Sequence, residues 1–121
     1  MQWRPLTSVT QIDHISQRSH HVPCLIFKHS TRCSISSIAR LRLEQDFDFS
    51  GAVPEAYFLD LIAHRAVSNA VAEQFSVHHE SPQVILIWKG ACILDASHLD
   101  ISVQELEETL QLTFSGEIQA R

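Results

Sequence analysis

The spacing of apolar residues changes period several times along the chain, and each change predicts an element. Over residues 8–19, Val9, Ile12 and Ile15 stand at helical spacing behind Ser8 or Thr10 as a cap, which predicts a modest amphipathic helix. Pro23-Cys24-Leu25-Ile26-Phe27 is instead a continuous apolar run. That is the pattern of a strand buried on both faces, and it stops at the polar stretch Lys28-His29-Ser30-Thr31-Arg32. From Ser34 onward the recurrence of Ile35, Ile38, Ala39 and Leu41 or Arg42 predicts a helix of about three turns that ends near Phe47. Cys33 falls at its first turn.

Ser50-Gly51 and Pro54 punctuate the chain before Ala56-Tyr57-Phe58-Leu59-Asp60-Leu61, which reads as a second strand. Val67, Ala70, Val71 and Phe75 then predict a helix with Arg65 or Ser68 near its start. Gln83-Val84-Ile85-Leu86-Ile87-Trp88 is a strong strand, Lys89-Gly90 a tight turn, and Ala91-Cys92-Ile93-Leu94 the returning arm of a hairpin. Ser102-Val103-Gln104-Glu105 has the form of a capping box and opens a helix carrying Val103, Leu106 and Leu110, to about Leu112. The order is therefore a helix followed by β-α-β-α-β-β-α. It predicts an α/β fold with a central mixed four-stranded sheet and an extra N-terminal helix, the order of a thioredoxin-like domain. Periodicity also permits other small α/β folds.

A chain of 121 residues with 45% apolar residues can bury a sizeable core, and a single domain over 1–121 is expected. The net charge of −5 counts against nucleic acid and anionic lipid as partners. No apolar run approaches the ~20 residues that span a bilayer. The start Met1-Gln2-Trp3-Arg4-Pro5 has no secretory apolar core, so a soluble, cytoplasmic protein is expected.

Three cysteines are an odd number for a disulfide framework. Cys33, between a buried strand and a helix, would meet unpaired backbone N–H groups and the positive end of the helix dipole, both of which favour thiolate. Lys28, His29 and Arg32 lie within five residues of it and add positive charge. The plainer alternative is an inert helix cap, a position that prefers Ser, Thr, Asp or Asn. Cys24, inside a strand, and Cys92, inside the hairpin, read as small buried hydrophobes with raised pKa values. Ser36 makes a C-x-x-S pattern with Cys33. A hydroxyl there can donate a hydrogen bond to a thiolate or its adduct but cannot resolve a mixed disulfide. It is equally readable as an ordinary first-turn helix residue.

Ser81-Pro82 directly before a strong strand is a place for a cis X-Pro bond or for a simple trans strand start. Eight histidines invite a metal site. Adjacent His78 and His79 would point to opposite faces of an extended chain, and there is no two-Cys zinc spacing. A metal module built from His29, Cys33 and His79 is therefore disfavoured, and no metal site is expected. His98 reads as a surface or cap residue ahead of the last helix.

Taken as strings, Phe27-Lys28-His29-Ser30-Thr31-Arg32-Cys33-Ser34-Ile35-Ser36, Leu59-Asp60, Arg65-x-x-Ser68-Asn69 and His79-Glu80-Ser81-Pro82-Gln83 resemble the monothiol bacilliredoxin C family, also described as general stress or bacillithiol-system proteins. The resemblance runs from about residue 7 to residue 110. It implies a thioredoxin-like fold and removal of bacillithiol from S-bacillithiolated proteins by one active-site cysteine. Residue by residue it implies Cys33 as nucleophile, Ser36 at the place of an absent resolving cysteine, and Pro82 as the thioredoxin-type cis-proline. The Ser81 backbone would pair there with the substrate in β fashion, and Thr31, Arg32, Ser36, Ser81 and Pro82 form the substrate-binding side. Members often carry proline directly after the cysteine, where this chain has Ser34, which leaves thiol ionisation and partner preference open. The resemblance further implies no tightly bound cofactor, bacillithiol or another low-molecular-weight thiol such as glutathione as co-substrate, S-thiolated client proteins as partners, and a monomer. The competing reading is a non-enzymatic thioredoxin-like stress adaptor or binding module that uses the Pro82 face.

Overall fold

The computed structural model describes residues 1–49 and 51–119. Its centre is β2 (Cys24–His29), every residue of which is buried. On one side β2 pairs in parallel with β3 (Glu55–Asp60); on the other it pairs antiparallel with β4 (Gln83–Trp88). β4 continues into β5 (Ala91–Ser97) through a turn in which Lys89 and Gly90 both take positive φ, 52° and 76°. That geometry matches the right-handed twist of a hairpin. An added Cβ at Gly90 would also come within 3.3 Å of Ser16 Oγ, a tight approach, and the Gly90 N–H donates to Ser19 Oγ at 2.8 Å.

Four helices cover the sheet: α1 (Thr10–Arg18), α2 (Ser34–Asp46), α3 (Arg65–Gln74) and α4 (Val103–Gln119). Alternation along the strands divides the core into two layers. Cys24, Ile26, Ile85 and Ile87 face Ile12 and Ile15 of α1 and Val67 and Val71 of α3. Leu25, Phe27, Val84 and Leu86 face Ala39 and Leu43 of α2 and Val103, Leu106 and Leu110 of α4.

The architecture is the expected thioredoxin-like α/β fold, with four departures. The sheet has five strands in the order β1-β3-β2-β4-β5, because Trp3–Pro5 forms β1, parallel to β3. Three residues that include a proline are too short to show alternation, and only pairing with β3 makes them a strand. β2 runs two residues further than its apolar run, through Lys28 and His29. α1 has no side-chain cap from Ser8 or Thr10; Gln11 Oε1 instead accepts the N–H groups of Thr7 and Ser8 at 2.8 and 3.0 Å, and Val9 is exposed. Finally, the core stripe of α2 is Ser36, Ala39 and Leu43, while Ile35, Ile38 and Leu41 are exposed. Two apolar stripes compete on this helix. The one with small residues in its first turn wins, because β2 and His29 pack close beneath that turn.

α3 buries Val67, Val71 and Phe75, with Ala70 partly buried, and the Ser102 hydroxyl accepts the Glu105 N–H at 3.3 Å, as the capping-box reading expects. α4 runs on well beyond Leu112. Among the described residues no helix is long and apolar enough to cross a membrane.

Candidate active site

Cys33 is the N-cap residue of α2, in an extended conformation (φ −115°, ψ 120°) that the helix abandons from Ser34 onward. Its N–H donates to the Ser30 carbonyl at 3.2 Å and its carbonyl accepts the Ser37 N–H at 3.2 Å. The residue is partly buried and makes no side-chain cap bond, and it stands at the head of the helix, where the first N–H groups lack intrahelical partners. Thr31 and Arg32 form the exposed turn in front of it.

Ser36, one turn on, is fully buried. Its Oγ lies 2.7 Å from His29 Nδ1 and accepts the Ser30 N–H at 3.0 Å. Among the described residues it makes no hydrogen bond to Cys33. His29 is buried against the rings of Phe58 and Phe27, with centroids 5.2 and 5.8 Å away. Burial, reinforced by the Arg40 guanidinium, holds its pKa below the ordinary histidine value, while Asp60 pulls the other way.

Lys28 leaves β2 toward the opposite face and is entirely buried. Its Nζ donates to the Ser68 carbonyl at 3.1 Å and lies 3.1 Å from His79 Nδ1. Desolvation lowers its pKa to about 8, and burial together with Lys28 lowers that of His79. Neither Lys28 nor His29 therefore supplies the positive charge expected beside Cys33: one faces away and the other is held neutral. Arg32 is the exposed cation of the three. The opposed faces also separate His29 from His79, and among the described residues no group of three or more His, Cys, Asp or Glu is placed to hold a metal ion.

Ser81-Pro82 is a cis peptide leading into β4. Because Gln83 pairs with Lys28, this loop and the exit of β2 toward Cys33 lie at the same end of the sheet. Gln83, buried, fastens the loop by donating to the His78 carbonyl at 2.9 Å. Ser81 Oγ is buried and has no partner among the described residues. Outside the loop, Glu80 accepts from His98 at 3.0 Å, so His98 anchors the loop and does not cap α4.

Of the other thiols, Cys24 is buried as expected and Cys92 is only partly buried. Burial pushes both Cys24 and Cys92 up to about 11, and all three cysteines are free. The network that sequence reasoning missed is Lys28–Ser68–His79. No local signal could have found it, because Ser68 and His79 lie 40 and 51 positions beyond Lys28.

Residues 4–106 match the model of a family described as Monothiol bacilliredoxin BrxC. Among solved structures, a protein described as a candidate oxidoreductase with a thioredoxin fold superposes with a TM-score of 0.71 at 26% identity, covering 87% of this chain and 90% of its own. Thioredoxin from Trypanosoma brucei brucei gives 0.69 at 13% identity, covering 94% and 92%. Spinach chloroplast thioredoxin F gives 0.67 at 9%, covering 92% and 85%. The last two speak to the fold.

Proposed function

The chain belongs to the monothiol bacilliredoxin family, and from that premise we propose that it removes a low-molecular-weight thiol, bacillithiol first, from mixed disulfides on client proteins, with Cys33 as the single nucleophile. Family and fold together make it a thiol oxidoreductase. The observation that carries the finer reading is the partly buried Cys33 at the head of α2, with a buried serine one turn away where a resolving thiol would stand.

The exchange proceeds in two balanced steps. Cys33 thiolate attacks the small-thiol sulfur of the mixed disulfide; a new S–S bond forms as the old one breaks, and the client sulfur leaves as thiolate and takes a proton from water. A second small thiol, as thiolate, then attacks the small-thiol sulfur of the adduct. It releases Cys33 thiolate and the small-thiol disulfide, which an external reductant must reduce. Helix N–H groups favour the sulfur anion at the start of the first step and at the end of the second. Thr31, Arg32, Ser81 and Pro82 border the approach, with the Ser81 backbone pairing a client strand. The reading takes the protein as a cytoplasmic monomer without a bound cofactor.

Intact-mass spectrometry tests this. Incubation with a bacillithiol-modified client should return the client thiol and place one bacillithiol on the protein, located at Cys33 by peptide mapping. Cys33→Ser should do neither. Client release undiminished in Cys33→Ser would overturn the proposal, and client binding retained without any release by wild type would favour the adaptor reading.

A further inference from the structure

Ser81 makes no hydrogen bond among the described residues: its main-chain N–H and C=O are unpaired, and its buried Oγ has no partner. Its neighbours on both sides are fastened. Gln83 holds the approach to it, donating to the His78 carbonyl at 2.9 Å and accepting the Glu80 N–H at 3.4 Å. His98, the residue after β5, holds both flanks at once: its Nε2 meets Glu80 Oε2 at 3.0 Å, and its main-chain N–H donates to the Pro82 carbonyl at 3.0 Å. One residue at the end of a neighbouring strand thus brackets a loop residue whose own backbone is left open.

His98 makes the bond to Pro82 from a left-handed backbone, φ 56°, at the start of the helical turn His98–Asp100. Histidine enters that region more readily than most residues, but glycine does so at no steric cost. The His98 ring is half-exposed, and an ion pair so placed adds little to global stability. What histidine supplies beyond glycine is the tie to Glu80, in which a neutral ring protonated on Nε2 and an imidazolium both donate. His78 also approaches Glu80, at 3.6 Å from Oε1, but it belongs to the same loop and cannot fix that loop to the sheet.

We propose that His98 is a positioning residue for client docking: by holding Glu80 and Pro82 it keeps the Ser81 N–H and C=O set to pair with an extended client segment beside the disulfide to be exchanged. The proposal rests on the reading that Cys33 exchanges with protein mixed disulfides and that the Ser81 backbone receives the client. Strand-like pairing recognises main chain, so the partner is an extended peptide carrying an S-thiolated cysteine. A small disulfide without a peptide backbone has no use for the clasp.

Three variants test it. His98→Gly keeps the main-chain bond and removes the ring, Glu80→Ala removes the ring's partner, and Glu80→Gln keeps an acceptor. The order parameter of the Ser81 amide, measured by NMR relaxation, should fall from about 0.85 to below about 0.6 in the first two and stay high in the third. With a bacillithiol-modified peptide, KM should rise about fivefold in the first two with kcat unchanged, the factor that one half-exposed ion pair is worth at most. The rate at which bacillithiol disulfide forms the Cys33 adduct should not change. Combining His98→Gly with Glu80→Ala should add nothing, since both remove one contact. An unmoved order parameter, an unmoved peptide KM, an equal loss with bacillithiol disulfide, or losses that multiply in the double variant would each overturn the proposal. A lower urea midpoint with KM and kcat unmoved would make His98 merely structural and overturn it too. Unchanged peptide KM with exchange still dependent on Cys33 refutes this inference alone. Exchange that survives Cys33→Ser refutes the functional reading, while the order parameters, which need no substrate, still decide whether the clasp holds the loop.

Discussion

Lys28 Nζ lies 3.1 Å from His79 Nδ1, so a residue of the central strand is tied to the start of the Pro82 loop, 51 positions later, by a partly buried hydrogen bond. The ammonium is the donor, and His79 accepts with its own proton on Nε2. Among the described residues no carboxylate pairs with this lysine. A buried charge partnered only by dipoles makes stability depend on pH.

Burial holds Lys28 at about 8, against about 10.4 in an unfolded chain. Between those values the unfolded chain binds more protons than the folded one, so this group's contribution to stability rises with pH across the window and is constant below it. Lys28→Met removes the dependence. From pH 7.5 to 9.5 wild type should gain about 2 kcal/mol on the variant in urea unfolding. A difference that stays flat over that range contradicts the assignment. The cysteines and Tyr57 titrate in both proteins and cancel.

His79 works on the acid side. Its folded pKa is depressed below the unfolded value of about 6.5, so its contribution is fully present above that pH and is lost as pH falls toward the folded value. His79→Asn should therefore lose stability less steeply than wild type between pH 6.5 and 5. Parallel curves would mean that the loss comes from other groups.

Thiol labelling should separate the three cysteines. Cys24 and Cys92, held at about 11 by burial, carry about a hundredfold less thiolate near neutral pH than an ordinary thiol near 9. Iodoacetamide at pH 7 should modify Cys33 at least about a hundredfold faster than either. Comparable rates in the folded protein would show that its environment is no different.

Ser36→Cys should convert the chemistry. A thiol one turn from Cys33, beside His29 Nδ1 as an acceptor for its proton, should attack the Cys33 adduct, expel the small thiol and close a 33–36 disulfide. The variant should then need a dithiol reductant. Persistence of the one-to-one adduct would show that position 36 cannot reach Cys33.

Trp3 belongs to an element with no signature in the sequence. Its indole donates to Glu44 at 2.8 Å and lies 5.6 and 5.7 Å from the rings of Phe27 and Phe58. Trp3→Ala should cost about 2 kcal/mol of stability, measurable by urea unfolding. A change within about 0.5 kcal/mol would mean that β1 is dispensable.

The sequence by itself determined the elements whose pattern is local. The doubly buried strand over Cys24–Phe27, the hairpin around Lys89-Gly90, the apolar stripe of α3 and the Ser102 cap each follow from residues within a few positions of one another. It also placed Cys33, the thiol proposed here as the nucleophile, between a buried strand and a helix start, because that position needs no long-range information. Only the tertiary structure decided the rest. β1 exists because β3 offers an open edge to Trp3–Pro5. Lys28 and His29 look like a polar loop until strand pairing draws them into the sheet and alternation sends them to opposite faces, one to Ser68 and His79, the other to Ser36. On α2 the sequence shows Ile35, Ile38, Ala39 and Leu41 at helical spacing, but close packing over His29 buries Ser36, Ala39 and Leu43 and leaves Ile35, Ile38 and Leu41 exposed. In each case the deciding partner is a buried group distant in sequence, and no local period carries that information.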